Sequence, residues 1–212
     1  MSRPRIVVLA SGGGTTFENL VLRSRDGRLD ADVVLLVVSR PDCGAVEKAR
    51  RLGVPFAIVT WKKGEQDDFD RDISAMVAAA RADLVCMGGF LKLWSFPASY
   101  AGKVMNIHPA LLPAFGGKGM HGHRVHEAVL ASGATESGCT IHFATNEYDA
   151  GPIILQRRVP VVPGDTADTL AARVFEAECE AYPEAIALFA ANRINVVGGR
   201  VKIAPPGQEF FP

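Results

Sequence analysis

The chain has 212 residues, of which 48% are hydrophobic and 22% are charged. This hydrophobic fraction excludes an intrinsically disordered protein, and the length is sufficient for a single domain to bury a core. Lysine and arginine together number 23, as do aspartate and glutamate, so a net charge of zero gives no general attraction to nucleic acids or acidic membranes. The four cysteines, which form no C-x-x-C pair, argue against a zinc ribbon or a redox motif.

The N-terminal segment contains a short apolar run at residues 6–10, preceded by two arginines. This run is shorter than the roughly 7–15 apolar residues of a secretory signal. No apolar run in the chain approaches the roughly 20 residues that span a bilayer. Both observations predict a cytoplasmic protein without a membrane partner.

Short apolar runs of strand length alternate with amphipathic helical patterns along the chain. The strand candidates are residues 6–10, 33–38, 55–60, 84–87, 104–108, 140–144 and 153–159. The helical stripes are residues 45–52, 69–80, 125–129 and 170–181, the last after Asp165 and Thr166, either of which could cap a helix. Residues 194–203, split by two glycines, predict a terminal hairpin. This alternation predicts a Rossmann-like α/β fold, with a mostly parallel central sheet and helices on both faces.

A glycine-rich segment, S-G-G-G-T-T at residues 11–16, lies between the first predicted strand and the first helix. Glycines let backbone N–H groups close on an anion, and a helix N-terminus adds partial positive charge, so a phosphate site is predicted. The alternative is a turn that only needs glycine. Phe17 replaces the third glycine of the dinucleotide pattern G-x-G-x-x-G, and no acidic residue ends the second strand. Arg40 nevertheless keeps an NADP-binding protein open as an alternative.

Asn106 and His108 lie two positions apart at the end of the fifth predicted strand. Residues at this spacing point to the same face of a strand. Pro109 ends the strand at its carboxyl edge, where open α/β sheets bind ligands. An amide beside an imidazole can stabilise the oxyanion that develops on a carbonyl group. The alternative is a strand end whose polar side chains only bond the next loop.

Two further segments carry titratable side chains. Asp149 lies in the turn sequence N-E-Y-D-A-G-P. One interpretation is an ordinary turn carboxylate, and the other is a carboxylate close to His108 that takes part in proton transfer. The segment H-G-H-R-V-H at residues 121–126 lacks the paired spacing of zinc ligands, so no metal site is expected. The glycine-rich residues 115–120 before it predict a mobile loop over a site.

Taken in order, these segments resemble the folate-dependent formyltransferases. The stretch N-I-H-P-A-L-L-P at residues 106–113, with D-A-G-P at residues 149–152, is specific to that superfamily. The other matching segments are residues 6–16, 89–93, 138–143 and 177–183. The glycine loop and the chain length indicate the branch that acts on a ribonucleotide amine. Members that formylate initiator methionyl-tRNA look longer at the C-terminus, and the related hydrolases carry an additional N-terminal domain.

The resemblance implies that the formyl group of 10-formyltetrahydrofolate, a cosubstrate, is transferred to the amine of 5-phosphoribosylglycinamide in de novo purine biosynthesis, with no metal. It implies that Asn106 and a protonated His108 stabilise the oxyanion, and that Asp149 keeps His108 charged and helps to remove the proton of the amine. The remaining implied contacts are Gly12, Gly13, Gly14, Thr15 and Thr16 with the phosphate, Glu178 with the ribose region, and Leu91, Lys92, Leu93, Trp94 and Asn106 with the folate.

We therefore expect a single formyltransferase domain over residues 1–212, with a phosphate-binding half at 1–100 and a catalytic and folate-binding half at 101–212. Its expected partners are these small molecules, not nucleic acid or a membrane. Lys92 stands where the family often has arginine, Thr16 where asparagine is common, and Gln66 near a position at which an arginine contacts folate in some members. The alternative functions are a formyltetrahydrofolate hydrolase of the same fold and, from another class, an NADP-binding module.

Overall fold

The computed structural model describes residues 3–210 as alternating strands and helices. The strands are β1 (Arg5–Ala10), β2 (Asp32–Val38), β3 (Phe56–Ile58), β4 (Leu84–Gly88), β5 (Val104–His108), β6 (Glu136–Phe143), β7 (Ile153–Pro160), β8 (Ile194–Val197) and β9 (Arg200–Ile203). The α-helices are α1 (Thr15–Arg25), α2 (Gly44–Leu52), α3 (Gln66–Ala79), α4 (His123–Ala131) and α5 (Ala167–Ala190), and a short 3-10 helix forms at Ala98–Tyr100. Within this part of the chain, no helix is long and apolar enough to cross a membrane.

The first seven strands form one sheet in the order β3-β2-β1-β4-β5-β6-β7. β1 pairs in parallel with β2 and β4, and β2 pairs in parallel with β3, whereas β6 and β7 are antiparallel. β8 and β9 form a separate antiparallel hairpin, as the sequence predicted. The predicted α/β fold with a mostly parallel sheet is confirmed.

The contacts of the chain divide it into two compact units, one ending at Met105 and the other beginning at Asn106. In the first unit, Ile6–Ala10 of β1 are fully buried, and α1 and α2 pack against each other and against β2. The chain runs outward from β1 through β2 to β3 and then returns to β4 on the other side of β1. Ligands bind at such a reversal, outside the carboxyl ends of the strands, and these ends of β1 and β4 lead into residues 11–16 and 89–94.

In the second unit, α5 packs against β6 and β7, and α4 contacts α5. α5 begins as predicted after Thr166, whose hydroxyl accepts from the backbone N–H of Thr169 while the Thr169 hydroxyl accepts from the N–H of Thr166. The helix then continues through the buried Pro183 to Ala190, beyond the predicted stripe. β6 also begins earlier than predicted, because residues 136–138 continue its antiparallel ladder with β7.

Candidate active site

The glycine loop in the first unit leaves space where side chains would otherwise lie. A Cβ atom added at Gly12 or Gly13 would meet no atom within 4 Å, so packing does not explain these glycines. Gly14 is the N-cap of α1 with φ of 71°, and it gives the helix no side-chain cap. The loop therefore combines open space with the free N–H groups of a helix N-terminus, which is the arrangement that binds phosphate.

Hydrogen bonds tie the glycine loop to the segment after β4. The hydroxyl oxygen of Ser11 accepts from the backbone N–H of Leu91 at 2.9 Å and lies 2.7 Å from the hydroxyl oxygen of Ser39. The backbone N–H of Ser11 donates to the carbonyl oxygen of Gly89 at 3.0 Å. The predicted phosphate-binding and folate-binding segments of the first unit thus adjoin each other.

The predicted folate segment is held by side chains of α3 and of the loop before it. The Nζ atom of Lys92 lies 3.9 Å from the centroid of the Trp61 ring, a cation–π contact. Gln66 donates to the carbonyl oxygen of Leu93 at 3.1 Å and accepts from the Trp61 indole N–H at 2.9 Å. The buried Trp94 side chain donates to the carbonyl oxygen of Asp70. Gln66 thus supports this segment.

The second unit brings Asn106, His108 and Asp149 together. The Nδ2 atom of Asn106 lies 3.4 Å from Oδ1 of Asp149, and Nδ1 of His108 lies 3.5 Å from Oδ2. His108 is buried, and the side chain of Asp149 is only 10% exposed. The carboxylate of Asp149 therefore lies close to both Asn106 and His108, the two side chains that the sequence analysis expects to stabilise an oxyanion.

The charge state of His108 is set by opposing effects. Nε2 lies 2.8 Å from the carbonyl oxygen of Phe115 and Nδ1 faces the Asp149 carboxylate, so both ring nitrogens face acceptors and a protonated ring would satisfy both. Burial nevertheless lowers the pKa of His108 below its ordinary value of 6.5, although Asp149 and the Phe115 carbonyl act to raise it. Near neutral pH the neutral ring, donating Nε2–H to Phe115, is therefore favoured over the protonated ring implied by the resemblance.

Asp149 is held as a carboxylate. Burial acts to raise its pKa, but the nearby imidazoles of His142 and His108 and the hydrogen bond from the backbone of Gly117 together lower the pKa below 3.8. The Gly117 N–H donates to Oδ2 at 2.9 Å. Residues 115–117 thus contact both His108 and Asp149 through their backbone, which agrees with a loop over a site.

Local packing explains the two sequence patterns around these residues. A Cβ at Gly151 would lie 1.7 Å from the carbonyl oxygen of Phe143, so D-A-G-P needs glycine where its backbone passes β6. The buried hydroxyl of Thr140 accepts from the N–H of Leu112 at 3.0 Å and donates to the carbonyl of Ala110 at 2.6 Å. Thr140 therefore positions the turn that follows His108.

The sequence interpretation missed His142, and although it predicted a loop over a site at residues 115–120, it did not predict the backbone contacts of that loop. His142 is buried, with Nε2 3.1 Å from Nδ2 of Asn106 and 3.7 Å from Oδ1 of Asp149. The alternation of β6 was a usable signal, because Thr140 and His142 lie two positions apart on one strand. The backbone contacts of Phe115 and Gly117 left no such signal.

Glu178 and the histidines of residues 121–126 are the other titratable groups that the sequence analysis singled out. Glu178 is half-buried on α5, where burial raises its pKa to about 7. His121 is exposed, and Nε2 of the exposed His123 lies 3.4 Å from Asp168, while His126 is buried. Across residues 3–210, no group of three or more His, Cys, Asp or Glu residues could hold a metal ion.

Comparison with known sequences identifies relatives along most of the chain. The family model described as formyl transferase matches residues 4–186. The chloroplastic phosphoribosylglycinamide formyltransferase of Arabidopsis thaliana is 42% identical over 198 residues, which cover 91% of this chain and 68% of the plant protein. The trifunctional purine biosynthetic protein adenosine-3 of Gallus gallus is 37% identical over 92% of this chain, which spans only 19% of that protein.

Comparison with solved structures gives the same family at nearly full length. Glycinamide ribonucleotide transformylase 1 from Symbiobacterium toebii has a TM-score of 0.86 and 37% identity, with 96% of this chain and 95% of that chain covered. A formyltetrahydrofolate deformylase from Pseudomonas syringae has a TM-score of 0.84 at 22% identity, with 95% of this chain and 66% of that chain covered, and shows the fold alone. The resemblance predicted from the sequence is confirmed.

Proposed function

Because the chain belongs to the formyl transferase family, we propose that it transfers the formyl group of 10-formyltetrahydrofolate to the amine of 5-phosphoribosylglycinamide in de novo purine biosynthesis. The convergence of Asn106 and His108 on the carboxylate of Asp149 is the observation that carries this proposal. It brings an Asn106 N–H donor, the His108 ring and a carboxylate that can accept a proton close together, which is what acyl transfer between two nitrogen atoms requires.

In the proposed reaction, the amine nitrogen attacks the formyl carbon, and the carbonyl electron pair moves onto oxygen. Asn106 donates a side-chain N–H to this oxyanion, and His108 donates the Nε2–H that is otherwise given to Phe115. The amine proton passes to Asp149, which is a carboxylate because its pKa is lowered. The intermediate then collapses, the carbonyl re-forms as the bond from carbon to the folate nitrogen breaks, and that nitrogen takes the proton from the Asp149 carboxyl group, which returns to the carboxylate.

The binding contacts are proposed residue by residue. Gly12, Gly13, Gly14, Thr15 and Thr16 hold the substrate phosphate, supported by the open space at the first two glycines. Glu178 contacts the ribose region. Leu91, Lys92 and Leu93, the backbone of Trp94, and Asn106 contact the folate.

We propose that residues 1–212 act as one formyltransferase domain, with phosphate binding in residues 1–100 and catalysis in residues 101–212. The partners are the two small-molecule substrates. A cytoplasmic location stays a prediction, and the Arabidopsis thaliana relative is named as chloroplastic.

The test separates this function from both alternatives. The protein is incubated with 10-formyltetrahydrofolate, with and without 5-phosphoribosylglycinamide, and deformylation is followed by absorbance. We expect fast loss of the formyl group only with the amine present, whereas equal rates in both samples would favour a hydrolase.

Asn106→Ala should lower kcat on the order of 10²-fold, the usual effect of losing one oxyanion donor. If the protein is instead an NADP-binding module, its response to NADPH should not depend on Asn106.

A further inference from the structure

His142 has both ring nitrogens engaged at the centre of the second unit, with only 1% of the residue exposed. Nδ1 lies 2.9 Å from the carbonyl oxygen of Phe143, and Nε2 lies 3.1 Å from Nδ2 of Asn106. A carbonyl oxygen can only accept a hydrogen bond, so Nδ1 carries the proton of the neutral ring. Nε2 then carries a lone pair and accepts from the Asn106 amide.

We propose that His142 is a positioning residue that fixes the orientation of the Asn106 amide for the reaction, an inference that rests on the proposed function. A flip of the amide would turn its oxygen toward the lone pair of Nε2 and toward Oδ1 of Asp149, and all three atoms would then be acceptors. One N–H of the amide is held by His142 at 3.1 Å. The second makes the longer 3.4 Å contact with Asp149 and is the one that an oxyanion takes over.

The fold fixes the position of the Phe143 carbonyl oxygen, which accepts the hydrogen bond from Nδ1 of His142. The register of β6 against β7 shifts between Ile141, which pairs with Leu155, and His142, which pairs with Ile153. The N–H of Phe143 donates to the carbonyl of Pro152 at 2.9 Å, and Gly151 packs directly on the Phe143 carbonyl. The carbonyl oxygen that selects the tautomer of His142 is therefore fixed by the same D-A-G-P segment that carries Asp149.

The first experiment reads the tautomer of wild-type His142 from the nitrogen-15 chemical shifts of its ring, so it needs no variant to fold and no activity. We expect a protonated Nδ1 and an unprotonated Nε2 at the pH of the activity assay. A proton on Nε2, in a neutral or a charged ring, would overturn the proposal, because Nε2 could then not accept from Asn106.

The second experiment compares two substitutions. His142→Gln places an amide oxygen near the position of Nε2, whereas His142→Leu fills the space without an acceptor. We expect the leucine variant to lose 10-fold or more in kcat with KM for 5-phosphoribosylglycinamide changed less than about twofold, and the glutamine variant to recover most of kcat.

The control repeats both substitutions in the Asn106→Ala background, where no amide remains to be oriented. There the two variants should differ less than twofold in their residual turnover. If His142→Leu lowers turnover equally in both backgrounds, or glutamine is no better than leucine, His142 is only a core residue. A wild-type protein without transferase activity would refute the proposed function, while the tautomer measurement would still decide the position of the proton.

Discussion

At the scale of single residues, His108 shows how burial and a neighbouring charge compete within one side chain. Burial lowers its pKa below 6.5, and the carboxylate of Asp149 acts in the opposite direction. In Asp149→Asn the raising effect is lost, so the pKa of His108 should fall further below that of the wild type. An NMR titration of the His108 ring measures both values, with Asp168→Asn as a control that should leave the titration unchanged. An unchanged His108 pKa in Asp149→Asn would make Asp149 an ordinary turn residue.

Glu178 offers a second residue-scale prediction, because burial raises its pKa from 4.5 to about 7. Between these pH values the folded protein holds a proton that the unfolded chain releases, so stability falls as pH rises from about 4.5 to about 7. Glu178→Gln should exceed the wild type in unfolding free energy by about 2–3 kcal/mol at pH 8 and equal it near pH 4, as measured by urea unfolding.

The matched control for this prediction is Glu176→Gln, because Glu176 is exposed on the same helix. Its unfolding free energy should follow that of the wild type at both pH values. If Glu178→Gln also follows the wild type between pH 4 and pH 8, the carboxyl group of Glu178 is solvated in the folded protein.

At the scale of elements, a substitution in the turn between β1 and α1 should affect substrate binding without lowering stability. Gly13 has open space around its would-be Cβ and no positive φ, so Gly13→Ala should leave the melting temperature unchanged or raise stability by about 0.5 kcal/mol. The added methyl group would nevertheless enter the space proposed for the phosphate. We expect KM for 5-phosphoribosylglycinamide to rise 10-fold or more, with KM for 10-formyltetrahydrofolate little changed. An unchanged KM for the phosphorylated substrate would contradict the phosphate site.

The sequence predicted the elements best where apolar periodicity was strong. The buried β1 and the stripe of α2 end within a residue or so of their predicted limits, since core packing alone determines their pattern. The first residues of β6, Glu136, Ser137 and Gly138, carry no strand signal, because they pair only through the backbone ladder with β7. α5 runs through Pro183, a residue that usually ends a helix, and its burial there is a tertiary effect.

The candidate site shows the same division. Alternation on β5 predicted that Asn106 and His108 share a face, and the structure places both against Asp149. The position of Asp149 followed only from the resemblance, since a turn carboxylate 41 residues after His108 has no periodicity that relates the two. The contribution of His142 depends on a hydrogen bond to the backbone of Phe143, which no pattern of side chains encodes. The catalytic and binding roles of these residues stay predictions.

At the scale of the whole molecule, stabilisation of the fold by different ligands distinguishes a site for a single phosphate group from a site for a dinucleotide. Phe17 is fully buried where a dinucleotide fold has its third glycine, and Ser39 at the end of β2 is bonded to Ser11. Arg40, the residue that left NADP open, has Nε 3.4 Å from Oδ1 of Asp42. These contacts favour a site for one phosphate group.

Inorganic phosphate and ribose 5-phosphate should therefore raise the melting temperature, and NADPH at the same concentration should not. A ligand at ten times its Kd adds about 1.4 kcal/mol to the unfolding free energy, which is a rise of roughly 3–5 °C for a chain of this size. Thermal unfolding with each ligand measures the effect, and Gly13→Ala, which keeps the fold, should lose it. If NADPH raises the melting temperature in Gly13→Ala as well, a dinucleotide binds elsewhere. If neither inorganic phosphate nor ribose 5-phosphate raises the melting temperature of the wild type, the glycine loop is only a turn.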